Sequence, residues 1–302
     1  MSLALSEEQE LLRDTAREFI AEHSPVKELR RLRDEQDPVG FSRALWTQMA
    51  ELGWAGIVLP EELGGAGLGY AELGIVLEEC GRTLAATPLV ATSLLGANAV
   101  LLGGNELQRK EILPAVAKGE RILALALQEG SHHAPYSVAT RAEASANGWR
   151  LSGRKTFVLD GHVADQIVVV ARTSGSSGER DGLSLFLVPK AARGLEVTRT
   201  IMVDGRNAAN LAIEGVEVDR SAVLGAEGRG ADVLDRVLDV ALVGLSAEMF
   251  GTLTEAFERT IAYLKERKQF GVPIGSFQAL QHRAVDMFVE VELSRSIVLD
   301  AL

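Results

Sequence analysis

The chain has 302 residues, of which 47% are hydrophobic and 24% charged, and its formal net charge is −11. This is the composition of a globular protein of two or three domains. The acidic balance argues against nucleic acid or an anionic membrane surface as a partner.

Cysteine content and the N-terminal segment narrow the class further. The single cysteine, Cys80, excludes a disulfide within the chain and a thiolate zinc site, and its helical setting predicts a buried small hydrophobe. The N-terminus has no basic stretch before a long apolar run, so a signal peptide is not expected. No run of about 18 uninterrupted apolar residues occurs, so we expect no membrane span and a cytoplasmic location.

Residues 1–120 carry a helical pattern. Ser6 and Gln9 have the spacing of a capping box, which predicts a helix that begins directly after Ser6. Four further helices are predicted at about Phe41 to Leu52, from Tyr70 onward, at about Thr87 to Leu102, and from Glu106 to Leu113, where Pro114 would end the helix.

The glycine-rich segment from Trp54 to Gly69 has two possible interpretations. Its glycines allow unusual backbone angles and could cradle a phosphate. However, the segment follows no predicted strand and lacks the Lys-Ser/Thr ending of a P-loop. A connecting loop is therefore the favoured interpretation.

The pattern changes to short strands over residues 121–226. Asn147-Gly148 joins two alternating runs and predicts a hairpin. Strands are expected at Ile122 to Leu127, Val138 to Ser145, Trp149 to Val158, Ile167 to Ala171, Leu183 to Val188, Leu195 to Thr200 and Asn210 to Val218. Short strands at this spacing, without helices between them, indicate a sandwich or a barrel.

Helix returns in residues 227–302. One pattern runs from Gly230 to about Lys268, roughly 57 Å at 1.5 Å per residue. A second begins at Ser276, a good N-cap residue, and reaches Leu302. Two helices leave half of each apolar stripe uncovered, so we expect a bundle that further helices or a partner complete.

The strongest sequence signal lies between these two helices. Arg267-Lys268-Gln269-Phe270-Gly271, followed by Gln278 at the start of the next helix, resembles a motif of the acyl-CoA dehydrogenase family. Three further matches occur in the family's order, at Leu52-Gly53-Trp54 through Gly64-Gly65, at Ile112-Leu113-Pro114 with Gly119-Glu120, and at Gly153-Arg154-Lys155-Thr156-Phe157. Together the four matches span nearly the whole chain.

This resemblance implies an α+β fold that is mostly α. It would consist of an N-terminal helical domain (1–120), a middle β-barrel or sandwich (121–226) and a C-terminal helical bundle (227–302) that is truncated here. It also implies FAD as cofactor, an acyl-CoA substrate and an electron-transfer flavoprotein or similar acceptor. Members form homo-oligomers, as dimers or tetramers, or hetero-oligomers, and a neighbouring subunit completes each FAD site.

The resemblance assigns cofactor contacts in the C-terminal segment. Arg267 falls on the arginine that contacts the FAD of the neighbouring subunit, and a guanidinium group suits a pyrophosphate through paired, charge-assisted hydrogen bonds. Phe270 would pack on the cofactor, and Gln278 would form a hydrogen bond with it.

A second set of implied contacts lies in the β segment. Gln128 stands where the family usually has a threonine beside the flavin, and Ser131 would contact the substrate. Phe157 falls on an aromatic position that packs on the flavin. Leu159 replaces a threonine or serine, so a side-chain hydrogen bond near flavin N5 is lost, and Asp160 replaces a polar neighbour.

The implied reaction is α,β-dehydrogenation, in which a glutamate removes the α proton of the thioester and hydride leaves the β carbon for flavin N5. Most members carry this glutamate near the end of the bundle, so we expect it beyond Leu302. A minority carry it on the long helix, at the position of Ala241, and Leu242 follows where many members have arginine. No catalytic base is therefore assigned within these residues, and Asp235, Asp239 and Glu248 do not match either position.

Two departures bear on substrate and chemistry. His132-His133 could suggest a metal or a proton shuttle, but adjacent loop residues point apart, so a loop at the acyl-CoA entrance is favoured. The departures at Gln128, Leu159 and this loop suggest a branched or ring-bearing acyl group. Three hypotheses remain: a catalytic dehydrogenase, a non-catalytic partner subunit of a hetero-oligomer, and a related flavoprotein oxidase or monooxygenase.

Overall fold

The computed structural model describes residues 4–302, so the first three residues of the segment used in the signal-peptide argument lie outside it. The chain forms two compact units. The helical unit comprises Met1–Leu29, Gly69–Ala85 and Leu242–Leu302, and the sheet unit comprises Arg30–Leu68 and Ala86–Ala241.

Helices occupy both ends of the described chain. The α-helices are α1 (Glu7–His23), α2 (Val26–Asp34), α3 (Arg43–Glu51), α4 (Tyr70–Thr83), α5 (Asn98–Gly103), α6 (Glu106–Ala117), α7 (Gly230–Glu266) and α8 (Gln278–Ala301). The capping box at Ser6 and Gln9 is confirmed. The region predicted as a fourth helix is helical, but Val90–Ala97 is a π-helix that continues into α5.

Between α6 and α7 in the sequence, the described chain forms one mixed sheet of eight strands. The strands are β1 (Leu123–Ala126), β2 (Arg141–Ala144), β3 (Gly148–Leu159), β4 (Gln166–Arg172), β5 (Leu183–Pro189), β6 (Leu195–Ile201), β7 (Asn207–Asp219) and β8 (Val223–Leu224). Their order is β6-β7-β3-β2-β4-β5-β8, and β1 pairs with β4 in parallel. A single parallel pair, Arg141 with Arg172, joins the two halves of the sheet at β2 and β4.

The core of the sheet unit forms where helices cover this sheet. β4 and β5 are buried along almost their whole length, which explains why they read as continuous apolar runs. Their side chains join one cluster with residues of β1, α5 and α6. The indole N–H of Trp46 on α3 donates to the carbonyl oxygen of Gly119 at 3.0 Å, which ties α3 to the end of α6.

Glycines allow two helices of the helical unit to approach closely. A Cβ atom added at Gly81 on α4 would lie 1.9 Å from the carbonyl oxygen of Glu248 on α7. One added at Gly251 on α7 would lie 1.8 Å from the carbonyl oxygen of Glu78 on α4. The two backbones therefore touch at a crossing that only glycine permits. Cys80 lies buried beside it, as predicted.

Three predicted element ends are wrong. Pro114 lies inside α6, because burial of Leu113, Val116 and Ala117 in the core outweighs the one backbone hydrogen bond that proline removes. The N-cap of α8 is Phe277, since Ile274–Ser276 form a 3₁₀ turn in which the Ser276 hydroxyl donates to Pro273 instead. The β2–β3 hairpin closes between Ser145 and Gly148, so its turn is centred one residue earlier than expected.

α7 and α8 leave much apolar surface exposed within the described chain. Phe257 and Phe288 pack with ring centroids 6.2 Å apart, and the Arg295 guanidinium lies 5.1 Å from the Phe250 ring centroid. The exposed apolar residues include Leu242, Met249, Tyr263, Val285, Phe288, Leu293 and Ile297. This agrees with the predicted uncovered stripes.

α7 is also long and apolar enough to cross a membrane by length and composition. A buried core helix meets the same criterion, so this is weak evidence for a membrane span.

Candidate functional site

A β-bulge displays the predicted flavin-packing aromatic of the sheet unit. Lys155 pairs with Leu211 on β7, but the next pair is Val158 with Ala209, so β3 holds one extra residue here. Phe157 lies within this bulge, has a left-handed φ of 55° and is 58% exposed. A non-glycine residue in this conformation is strained, and such strain concentrates at functional sites. The bulge thus presents an aromatic ring on an open surface.

Residues 128–133, which include the predicted flavin contact Gln128 and substrate contact Ser131, form a loop directly beside this bulge. We call it the contact loop. The backbone N–H of Thr156 donates to the carbonyl oxygen of Gln128 at 2.8 Å. The Gln128 amide donates to Gly130 at 3.0 Å and to the carbonyl oxygen of His132, so this side chain shapes its own loop. Ser131 is exposed, and its hydroxyl lies 3.0 Å from His132 Nδ1. The structure therefore brings Gln128, Ser131 and Phe157 together.

An ion pair that the sequence analysis did not assign lies beneath this loop. Lys155 is fully buried, and its Nζ donates to Glu129 Oε1 at 2.7 Å and to the carbonyl oxygen of Leu127 at 3.0 Å. Burial lowers the pKa of Lys155 to about 8, although the charge of Glu129 opposes this. Burial raises the pKa of Glu129, but the Lys155 charge and hydrogen bonds outweigh it, and the net pKa is lowered. Lys155 belongs to the matched segment Gly153-Arg154-Lys155-Thr156-Phe157, but the sequence analysis did not pair it with Glu129.

Asp160 ends β3 beside the predicted flavin position Leu159. It also has a left-handed φ, of 50°, and its backbone N–H donates to Asn207 at 3.3 Å. Burial raises the pKa of Asp160 to about 7, and the charges of Arg206 and Arg199 only partly oppose this shift. Near neutral pH the site therefore contains a carboxyl group that is costly to ionise.

We expect Asp160→Asn to stabilise the protein at pH 8. Because the folded pKa of about 7 exceeds the unfolded value of 3.8, wild-type stability falls as pH rises from about 4 to about 7. The variant has no ionisable group at this position and does not lose this stability. Its free energy of unfolding should therefore exceed that of wild type by about 2–4 kcal/mol at pH 8 and should not exceed it at pH 4. Urea unfolding at both pH values measures the difference. An equal difference in the free energy of unfolding between variant and wild type at pH 4 and pH 8 would mean that ionisation of Asp160 does not cause the difference.

The second set of predicted cofactor residues lies in the helical unit. Lys268–Gln269 and Val272–Pro273 pair as a small hairpin, with Phe270 and Gly271 as its two turn residues. Both turn residues have positive φ, 55° and 81°, as this tight turn type requires. Phe270 is 92% exposed, and its ring packs edge-on against the ring of Phe277, with the two centroids 6.1 Å apart. As at Phe157, strained backbone displays an aromatic ring.

Arg267 and Gln278 flank this hairpin at the end of α7 and the start of α8. Both are exposed, and neither side chain has an ion pair or hydrogen bond with any residue that the structure describes. The backbone carbonyl of Arg267 accepts a 2.7 Å hydrogen bond from Ile274, which fixes the helix end. An unpaired guanidinium on a rigid helix end is suited to bind an anion.

The glycine-rich segment is a connecting loop, as favoured from sequence. Its backbone N–H groups are used internally: Ala66 donates to Gly56 at 3.1 Å, and Gly67 donates to Leu59 at 2.9 Å. Gly65 packs so closely that an added Cβ would lie 2.0 Å from the Leu59 carbonyl oxygen. The N–H donors that a phosphate would need are already engaged.

The described carboxylates offer no base at the expected helix position. Ala241 is buried, and Leu242, which follows it, is 59% exposed. Asp235 accepts hydrogen bonds from the Tyr136 hydroxyl and the Arg180 guanidinium, each at 2.8 Å, and Glu129 is held by Lys155. The lowered pKa of Glu129 makes that carboxylate a poor proton acceptor.

The two histidines of the contact loop are both exposed. Within residues 4–302, no group of three or more histidine, cysteine or acidic side chains is arranged to hold a metal ion.

Comparison with known proteins identifies the class. Residues 6–120, 127–216 and 228–302 match models of the N-terminal, middle and C-terminal domains of acyl-CoA dehydrogenase. Mitochondrial isovaleryl-CoA dehydrogenase of Pongo abelii is 33% identical over 301 residues, covering 97% of this chain and 71% of that protein.

Two solved structures share the fold. One, a variant of a steroid acyl-CoA dehydrogenase, is 36% identical with a TM-score of 0.86 and covers 98% of this chain and 77% of its own. The other, the ChsE4-ChsE5 complex from Mycobacterium tuberculosis, is 29% identical with a TM-score of 0.86 and covers 99% and 78%. The chain belongs to the acyl-CoA dehydrogenase family, whose members are FAD-dependent oxidoreductases acting on CH–CH donors.

The residues present fit FAD. In the sheet unit, Phe157 offers an exposed ring for packing. In the helical unit, taken by itself, Phe270 offers another exposed ring and Arg267 a free guanidinium for a pyrophosphate. No atom lies within 4 Å of a Cβ position at Gly130, so space is open beside the contact loop. The individual assignments of these residues stay predictions.

Proposed function

We propose that this protein catalyses α,β-dehydrogenation of an acyl-CoA thioester. The observation that carries the proposal is the pairing of the bulge at Phe157 with the contact loop of Gln128 and Ser131. This arrangement places an exposed aromatic surface next to an open loop on a rigid sheet, which suits a planar cofactor with a substrate beside it. The family relationship supports the same chemistry.

Each part of the site has a separate task in this proposal. FAD, when bound, supplies the hydride acceptor for the β carbon. Arg267 would hold a pyrophosphate charge, and Phe157 and Phe270 would position ring systems by packing. Ser131 would contact the thioester side of the substrate. Leu159 and the neighbouring backbone would exclude water from the reacting carbons.

The reaction requires a carboxylate that accepts the α proton. Ala241 has no acidic group, and Glu129 and Asp235 are engaged in ion pairs. We therefore assign the base to none of these three residues.

An acyl-CoA panel tests the proposal. We expect the FAD-loaded protein, kept without oxygen, to lose its visible flavin absorbance when straight-chain, branched or ring-bearing acyl-CoA thioesters are added in turn. Branched and ring-bearing groups are expected to act most rapidly, since relatives include an isovaleryl-CoA and a steroid enzyme. A protein that takes up FAD but is bleached by no member of the panel would contradict a dehydrogenase function. Rapid oxygen consumption after bleaching would instead indicate an oxidase or monooxygenase.

A partner-subunit role is the second candidate. Ala241 and Leu242 replace both side chains expected on the long helix, and the exposed apolar faces of α7 and α8 need cover. A similar structure is itself a complex of two named components. In this case the purified chain alone should not be bleached by any acyl-CoA, whereas an assembly with a second family member should be. Mass measurement of the native assembly, together with bleaching, separates the two candidates.

A further inference from the structure

Three chain segments converge on Lys155. Its Nζ lies 3.0 Å from the Leu127 carbonyl oxygen and 2.7 Å from Glu129 Oε1, so it holds both ends of the turn into the contact loop. Glu129 in turn accepts hydrogen bonds from the backbone N–H groups of Ala139 at 2.6 Å and Thr140 at 3.0 Å. One ion pair, fully buried at Lys155 and partly buried at Glu129, thereby connects residues 127–129, residues 139–140 and strand β3.

The same lysine lies at the root of the bulge. Lys155 is the last residue of β3 in regular register before Val158, and the intervening Thr156 donates its N–H to Gln128. The contact loop and the exposed ring of Phe157 are therefore positioned from a single point. The side chain of Lys155 points into the protein and is fully buried, so it cannot itself touch a ligand.

An ion pair of this kind is poorly explained as a source of stability. Taking two charges out of water costs several kcal/mol per ion, and a well-packed apolar pair of similar size is often as stable or more so. What this pair adds is fixed geometry, since Nζ is held by two acceptors and Glu129 also accepts from two backbone N–H groups. Here the fixed geometry is that of the surface predicted to receive the flavin.

We infer that the Lys155–Glu129 pair is a positioning device that sets the contact loop of Gln128 and Ser131 against the Phe157 bulge for cofactor binding. This inference rests on the proposed function, because it takes the bulge and loop as the flavin surface. Lys155 and Glu129 act through the loop and the bulge and are positioning residues, not catalytic ones.

Two variants separate positioning from stability. Lys155→Met leaves the Glu129 charge without its partner and should lower both the melting temperature and the affinity for FAD. The double variant Lys155→Met/Glu129→Gln removes both charges and keeps one of the two oxygens that accept from the backbone N–H groups of Ala139 and Thr140. We expect it to recover most of the melting temperature while its Kd for FAD stays about tenfold or more above wild type, because a loosened supporting shell misplaces the site.

FAD affinity is measured by quenching of flavin fluorescence on titration of FAD-free protein. Arg150→Met is the matched control, since it removes a cation from the same strand whose partner, Glu217, is exposed. Val188→Ala, on β5, controls for a general loss of stability in the sheet unit. Both controls should bind FAD within about twofold of wild type, as expected for changes away from the site. A double variant that recovers stability and also binds FAD as wild type does would overturn the inference.

Hydrogen exchange distinguishes a failure of the proposed function from a failure of this inference, because it does not depend on FAD uptake. If wild type takes up no FAD, hydrogen exchange of peptides covering residues 127–141 still reads the geometry. Faster exchange in Lys155→Met than in Val188→Ala, including the amides of Ala139 and Thr140, would support the positioning role. Equal exchange in the two variants would remove it.

Discussion

Gly251→Ala is expected to destabilise the helical unit severely. In an ordinary helix interior this change stabilises by about 1 kcal/mol, because alanine has the higher helix propensity. Here the new Cβ would lie 1.8 Å from the Glu78 carbonyl oxygen. The Cβ is bonded to the backbone of α7 and the oxygen belongs to the backbone of α4, so neither atom can move aside without shifting a helix. We therefore expect the sign to reverse, with a loss of about 3 kcal/mol or more in the free energy of unfolding. Urea or thermal unfolding measures it.

Gly74→Ala is the matched control for this crossing. It lies on α4, the helix that α7 crosses, and the atoms nearest to its added Cβ would be the methyl groups of Leu302, at 2.6 Å. A flexible side-chain end can move aside, so this variant should lose less than about 1 kcal/mol. Gly81→Ala, whose Cβ would lie 1.9 Å from Glu248, should behave like Gly251→Ala. Wild-type stability in both crossing variants would show that the helices do not pack in this way.

Arg267→Met is expected to weaken FAD binding by about 100-fold, which corresponds to about 2.7 kcal/mol. The guanidinium has no protein partner within the described residues, so its charge-assisted hydrogen bonds remain available for a phosphate. Arg267→Lys keeps the charge but loses the planar fork and should lie between wild type and Arg267→Met. Titration of FAD-free protein at low and high salt gives the affinities, and the loss should shrink as salt screens the contact.

Arg259 provides the control for a general effect of charge. It is exposed on the same helix and pairs with Glu255 at 2.7 Å. Arg259→Met should leave FAD affinity unchanged. An equal loss in both variants would point to the overall charge of α7, and no loss in Arg267→Met would refute the pyrophosphate contact.

Much of the fold follows from local sequence. The capping box at Ser6, the start of α4 at Tyr70, the long helix α7 and the main strands depend on residues a few positions apart, and their predictions are confirmed. The helix α2 and the two-residue strand β8 were not predicted from the sequence, since both are short and the α2 segment is strongly polar. Periodicity also could not distinguish the π-helix Val90–Ala97 from an α-helix, because apolar residues occur throughout it.

The candidate site divides in the same way. Arg267, Phe270 and Gln278 lie within one short segment, so their motif was visible as a unit, and the hairpin that exposes Phe270 is local too. Phe157 is likewise assigned by the family resemblance, through the match at Gly153-Arg154-Lys155-Thr156-Phe157. Its exposure, however, comes from a bulge that depends on the register of β3 against β7, which no single strand encodes.

The sequence by itself determined the family, the order of helical and β segments and the absence of an acid at Ala241, because each is written in neighbouring residues. Only the tertiary structure decided which groups support the site. Lys155 and Glu129 are 26 positions apart, and the α4–α7 crossing joins residues 171 positions apart through the Thr252 hydroxyl and Gly81. Folding brings such distant residues into contact, and a charged side chain that is removed from water requires a charged or hydrogen-bonding partner. The local sequence around Lys155 does not show which residue that partner is.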